Sequence, residues 1–209
     1  DLLGSLFGPN SHEMIDNLLR LDLDLDLFLT DLVSACGQDR LLVVLTGDHG
    51  VLPLPEYLAT VEHRFARRFN NGKEIHKKLV LLDSLLRRDL GVSEPVVGEG
   101  FINYQALKKL GKDAREVERK VREMLRSVDG VVDVYFGTEL LDSNTPQRPY
   151  LDAYRRSFMP SRCPDFFVRS CEFCLVTESK VGTGHGSPYA YDTRVPIIFL
   201  GFTVWGEES

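Results

Sequence analysis

The feature that most constrains this chain is Leu41-Leu42-Val43-Val44-Leu45, which runs directly into Thr46-Gly47-Asp48-His49-Gly50. Five consecutive apolar residues following the polar Gln38-Asp39-Arg40 form the pattern of a strand covered on both faces, because period-two alternation is lost when neither face meets water. A strand of that kind calls for an α/β layer architecture. In such folds the polar residues that follow the strand's carboxyl end are where ligand-binding and catalytic groups sit. A second pairing of the same type lies far downstream. The glycine-rich loop Gly182-Thr183-Gly184-His185-Gly186-Ser187-Pro188-Tyr189 precedes another apolar run, Val195-Pro196-Ile197-Ile198-Phe199-Leu200, which again predicts a buried strand.

Between these motifs the texture changes. Asn10 or Ser11 can cap a helix with Glu13 in its first turn, and the apolar residues from Met14 to Val33 recur near helical spacing up to Gly37. The Leu/Asp alternation over Leu21 to Leu27 lies inside that longer pattern with no turn signal, so it is read as helix. Phe65 to Arg88 and Asp113 to Arg126 are predicted helical, Glu94 to Ile102 and Val131 to Phe136 extended. A short helix is expected over Leu151 to Phe158, and Asp165 to Val168 is expected to return as a strand to the main sheet. These readings divide the chain into an α/β core, 1–55 with 142–209, and an inserted α+β subdomain, 56–141. The basic pairs Arg67-Arg68, Lys77-Lys78 and Arg87-Arg88 are offset by nearby acids and read as a solvated face.

With 209 residues, 43% hydrophobic and 27% charged, the chain can bury a core of ordinary size, and its net charge of −6 leaves no basic excess to neutralise a nucleic-acid backbone. A small anionic substrate stays possible. No apolar run approaches the roughly 18–20 residues of a membrane span, and no basic segment followed by an apolar stretch marks a signal peptide. Of four cysteines, Cys171 and Cys174 form one C-x-x-C pair. It is half of a structural zinc site or a local disulfide; without a second pair at ligand spacing, ordinary partly buried thiols are the favoured reading.

Adjacent carboxylate and imidazole at Asp48-His49 suit a borderline metal such as Zn²⁺, which accepts both oxygen and nitrogen. His185 lies between glycines whose missing side chains let backbone or metal approach. With the carboxylate of Asp1, four potential ligands stand at strand ends or in loops. A backbone-driven turn at Asp48 and a satisfied structural histidine at His185 are the competing readings.

Three stretches in order, Asp1-Leu2-Leu3-Gly4-Ser5-Leu6-Phe7-Gly8-Pro9-Asn10-Ser11, Leu45-Thr46-Gly47-Asp48-His49-Gly50-Val51 and Gly182-Thr183-Gly184-His185-Gly186, followed by Tyr189 to Pro196, resemble the zinc-dependent alkaline phosphatases and type I phosphodiesterases. The likeness is greatest to the bacterial, monomeric, broad-specificity phosphomonoesterases. That resemblance implies a mixed central sheet with flanking helices, incomplete here, and two zinc ions a few ångströms apart, one activating the attacking oxygen and one stabilising the leaving oxygen. It assigns Asp1 and His185 to one ion, Asp48 and His49 to the other. Ser5 departs from the pattern, standing where the family would place a third, imidazole ligand of the first ion. The resemblance places the Thr or Ser nucleophile, a further Asp ligand and the phosphate-contacting residues upstream of Asp1, and a terminal helix beyond Ser209, so the chain is read as truncated at both ends and inactive by itself. It further implies a phosphate-ester substrate handled through a covalent phospho-enzyme, a monomer when full length, and a periplasmic or secreted location. Phosphodiester or nucleotide pyrophosphate cleavage and a non-catalytic degenerate member are the alternatives; a sulfatase is disfavoured because neither its modified nucleophile motif nor its calcium-type ligand set is found. The expected geometry is a single cleft at the carboxyl ends of adjacent strands, lined by Asp1, Asp48, His49 and His185, with Ser5 facing it.

Overall fold

The computed structural model describes residues 2–201. In chain order the elements are α1 (Leu2–Phe7), α2 (His12–Cys36), a short 3₁₀ turn (Gln38–Arg40), β1 (Leu42–Thr46) and α3 (Pro55–Thr60). There follow β2 (Arg67–Phe69), α4 (Gly72–Leu90), β3 (Val97–Gly98), β4 (Phe101–Ile102), α5 (Tyr104–Lys109), α6 (Ala114–Arg126), β5 (Val131–Phe136), α7 (Gly137–Leu141), α8 (Leu151–Ser157), β6 (Phe166–Ser170) and β7 (Cys174–Val176). Last come α9 (Ala190–Thr193) and β8 (Ile197–Gly201). The result is an α/β architecture with short parallel and antiparallel strand pairs. It divides into two units: residues up to Arg64 together with those from Val181 onward, and Phe65–Lys180.

In the first unit Ser11 caps α2, its Oγ accepting from the Met14 amide at 3.1 Å, and Gly37 ends the helix at φ +84°. β1 and β8 pair antiparallel, Leu42 opposite Gly201 and Thr46 opposite Ile197. The two apolar runs therefore do become strands and find each other. The expectation that both are buried on two faces is corrected: Leu42 is 59% and Phe199 67% exposed, and α2, for all its leucines, contains no buried residue. An apolar strand is covered only where layers lie on both of its sides, and among the described residues no second layer closes over this pair. Between α2 and the strands a cavity of about 460 Å³ is lined by Leu29, Val33, Val43 and Phe199.

The second unit holds the packed core. α6 buries Val117, Val121 and Leu125 at four-residue spacing, and Asp113 caps it by accepting from the Arg115 amide at 2.9 Å. α4 buries Leu79, Leu82 and Leu86 and ends at Gly91 in the left-handed region. Both pack with Val134, Phe136 and Phe166 in one cluster. Asp83 of α4 fastens the turn before the β3–β4 hairpin, accepting from the amides of Val96 and Val97 at 2.7 and 3.0 Å. Two sequence readings change here. The predicted helix from Phe65 gives up its start to β2, because Arg67–Phe69 pairs in parallel with β7, a partner about a hundred residues away. β6 does not return to the β1–β8 sheet but pairs antiparallel with β5, so this unit runs on to Lys180, past the boundary of 141 drawn from sequence.

Cys171 and Cys174 are joined by a disulfide, with Phe173 between them at φ +59°, which replaces the reading of two ordinary thiols. Cys36 and Cys163 are free. Among the described residues no helix is long and apolar enough to cross a membrane.

One buried acid in this unit gives a pH signature. Glu118 on α6 is 5% exposed, and its Oε1 accepts from Tyr104 Oη at 2.9 Å and Thr138 Oγ1 at 2.8 Å. Burial raises its carboxyl above the ordinary 4.5. The folded state therefore holds this proton to a higher pH than the unfolded chain does, and stability falls as pH rises from about 4.5 through the raised value. Glu118→Gln keeps an acceptor for both hydroxyls and has no charge to desolvate. Its melting temperature should match the wild type near pH 4 and exceed it near pH 8; equal melting temperatures at both pH values would contradict the assignment.

Candidate metal centre

The site is built at the mouth of the β1–β8 pair. Because the strands are antiparallel, the carboxyl end of β1 lies beside the amino end of β8, with Thr46 opposite Ile197. The loop 47–50 leaves β1 there, and the loop 182–189 arrives there through α9 on its way into β8. His185 thus reaches the site from the amino side of its strand, not the carboxyl side expected from sequence.

The two loops are joined at several points. The Leu52 amide donates to the Gly184 carbonyl at 3.0 Å, Thr183 Oγ1 donates to the Leu52 carbonyl at 2.6 Å, and the Gly50 amide donates to the Asp192 carbonyl at 2.8 Å. Gly50 is obligatory: a Cβ there would lie 1.9 Å from the Tyr191 carbonyl oxygen. Ser5 is brought to the same place through its backbone, its carbonyl accepting from the Thr183 amide at 2.7 Å.

These ties bring Asp48, His49 and His185 together. The His49 and His185 rings stack with centroids 3.5 Å apart and planes inclined by 14°. His49 Nδ1 lies 2.7 Å from the Gly50 carbonyl; a carbonyl only accepts, so Nδ1 carries the hydrogen and Nε2 keeps its lone pair. That is the arrangement in which metal-binding histidines are held, with the second nitrogen engaged by a carbonyl or carboxylate. Asp48 is 90% exposed at its side chain, with Oδ2 3.6 Å from His49 Nε2. Its pKa is held below the ordinary carboxylate value by the hydrogen bond from its own amide, by the electrostatic pull of the neighbouring His49 ring and by the His49 amide, which donates to Oδ1 at 3.0 Å. A persistently ionised carboxylate therefore faces solvent beside an imidazole lone pair.

This donor set fits zinc in kind: carboxylate oxygen and imidazole nitrogen, one imidazole with its tautomer fixed. It does not form one closed cage. Among the described residues no group of three or more His, Cys, Asp or Glu side chains is placed to hold a single ion. The stacking is consistent with this, since a ring nitrogen directs its lone pair within the ring plane, and the two near-parallel rings, with centroids 3.5 Å apart, hold their lone pairs in separate planes. Asp1 lies outside the described residues. Sequence reasoning missed Asp192 and Ser187, which tie the loops together; the one available signal was an aspartate shortly after the glycine-rich loop, a pattern with no recognisable period.

Comparison with known proteins decides the family. The profile described as type I phosphodiesterase / nucleotide pyrophosphatase matches residues 1–183. The chain belongs to this family, within the alkaline phosphatase superfamily. Superfamily relatives include alkaline phosphatase PafA of Elizabethkingia meningoseptica, 27% identical over all of this chain and 38% of the relative. A protein named calcium-transporting ATPase from Myroides odoratus is 29% identical, over 99% of this chain and 37% of its own length. The crystal structure of wild-type PafA matches with a TM-score of 0.74 at 26% identity, over 96% of this chain and 38% of that one. The chain thus spans under two fifths of the length of these superfamily relatives.

Proposed function

We propose that this chain carries the carboxy-terminal share of a two-zinc phosphohydrolase that cleaves phosphate monoesters through a covalent phospho-enzyme, its nucleophile supplied by residues preceding Asp1. The observation that carries this reading is the stacked His49–His185 pair beside the ionised Asp48. Two imidazoles whose lone pairs lie in separate, neighbouring planes would serve two neighbouring ions, the arrangement that clamps an in-line phosphoryl displacement in two-metal sites. Asp48 and His49 hold one ion, and His185, with Asp1 by resemblance, holds the other. When bound, the ions neutralise charge on the attacking and leaving oxygens of the ester. The protein's own part is positional: the Gly50 carbonyl fixes the His49 tautomer, and the bonds from Leu52 and Thr183 hold the His185 loop against it. The exposed faces of α2, β1 and β8 fit a unit completed by those preceding residues, and the Cys171–Cys174 disulfide fits the oxidising periplasmic or extracellular location of such enzymes.

The family's description as phosphodiesterase and pyrophosphatase makes diester cleavage the second reading. The 209-residue chain, purified and given excess Zn²⁺, should turn over neither p-nitrophenyl phosphate nor its diester, whereas a form extended upstream should cleave the monoester faster. Zinc-dependent turnover by the chain alone, abolished in Asp48→Ala, would overturn the reading that the nucleophile lies upstream of Asp1; faster diester cleavage by the extended form would favour the second reading. Ser5 bears on the same question. Its carbonyl accepts from the His185 loop, and by resemblance its side chain stands where an imidazole would complete the first ion's ligands, so Ser5→His should raise zinc affinity by about tenfold or more in the extended form, imidazole being a far better ligand than a neutral hydroxyl. Unchanged affinity in a competition titration would show that another group already fills the position.

A further inference from the structure

Asp192 is the one buried acid among the described residues of the first unit, 5% exposed, and it belongs to none of the assigned ligand positions. Its carboxylate Oδ2 accepts from the Ser187 amide at 2.6 Å and from Ser187 Oγ at 2.5 Å, while its backbone carbonyl accepts from the Gly50 amide at 2.8 Å. One residue therefore grips both loops: Ser187 stands two residues after His185, and Gly50 directly follows His49. The far side of the His185 loop is pinned separately, by Leu52 bonding to Gly184 and Thr183. His185 itself is exposed and sits between these two anchors. Gly186, at φ +99°, gives the intervening backbone no rigidity of its own.

We infer that Asp192 is the positioning residue of the metal centre, holding the His185 loop in the register that stacks its imidazole on His49. The inference rests on the two-zinc reading for its functional consequence, but the clamp is a property of the metal-free chain. Ring stacking between a half-buried and an exposed imidazole is weak and does not by itself hold a loop that contains three glycines within four residues of His185. Two charge-assisted hydrogen bonds to a buried carboxylate are stronger and directional. The carboxylate acts through Ser187 while the backbone carbonyl of the same residue holds Gly50, and neither touches substrate or metal.

The test compares Asp192→Ala, Asp192→Asn and Ser187→Ala with the wild type in two measurements on the 209-residue chain: nuclear Overhauser contacts between the His49 and His185 rings without metal, and Zn²⁺ affinity by competition with a chromophoric chelator. Asparagine keeps an oxygen with two lone pairs for both Ser187 donors, so it should retain the ring contacts and stay within about threefold of wild-type affinity. Asp192→Ala should lose the contacts and weaken zinc by about 10- to 100-fold, the usual cost of removing a residue that orients a ligand. Ser187→Ala removes one of the two bonds and should fall between them; it carries the test if the alanine variant at 192 does not fold. Ring contacts and zinc affinity both unchanged in Asp192→Ala or Ser187→Ala, with only the melting temperature lowered, would overturn the positioning role. Loss of the ring contacts in Asp192→Ala, in a chain whose wild type keeps them but binds no zinc, would leave the clamp standing and sink the two-zinc reading instead.

Discussion

Asp48→Ala should lower the affinity of this chain for Zn²⁺ by more than about 100-fold, beyond the 10- to 100-fold typical of losing an orienting neighbour, because a direct charged ligand is removed. The effect is large for three reasons. Asp48 is the one carboxylate beside the stacked imidazoles among the described residues, so no other anion in reach takes its place. Its ionisation is already secured by its own amide, the nearby His49 ring and the His49 amide, so binding carries no deprotonation cost near neutral pH. Removing it also leaves a cation facing imidazole nitrogens with no compensating charge. His49→Ala should do comparable damage, while Asp16→Ala, an exposed acid paired with Arg20 on α2, should do none. Competition titration of the three variants checks the assignment; equal losses in all three would mean that zinc is held by diffuse surface charge and that no site exists at Asp48.

Glu139→Ala should destabilise the chain by about 3 kcal/mol, the scale for breaking a largely buried ion pair from one side, and lower its melting temperature by about 10 °C. Glu139 opens α7 and accepts from Arg122 Nη2 at 2.5 and 2.6 Å, from Arg148 Nη2 at 2.6 Å and from the Phe136 amide at 3.1 Å. Both guanidiniums are about three-quarters buried at their side chains and lie over aromatic rings, Arg148 over Tyr135 at 4.3 Å and Arg122 over Phe136 at 5.0 Å. Alanine would leave the two cations facing each other with Asp133 alone to neutralise them. Chemical denaturation decides the matter: a loss below about 1 kcal/mol would place this network with exposed surface pairs, and the core would then rest on its apolar clusters alone.

Local elements were legible wherever one stretch of chain contains its own reasons. Ser11 and Gly37 bound α2, and Asp113 with Val117, Val121 and Leu125 specifies α6, because capping and helical periodicity involve residues at most a few turns apart. The pentapeptide 41–45 and the run 195–200 became strands for the same reason, and the proposal of metal ligands at Asp48, His49 and His185 rests on residue type and glycine context. Pairing was not legible. That Arg67–Phe69 leaves a helical-looking stretch to join Cys174–Val176, and that β6 joins β5 in place of the β1–β8 sheet, depends on which distant edges remain open once the rest has packed, and nothing in a local pattern encodes that. Burial of β1 and β8 was misread because an apolar run records the layers a strand can meet, not those it does meet. The stacking of His49 on His185 and the clamp of Asp192 were likewise decided by tertiary structure: they depend on hydrogen bonds between loops more than 130 residues apart, whose distances are set by the folded backbone alone.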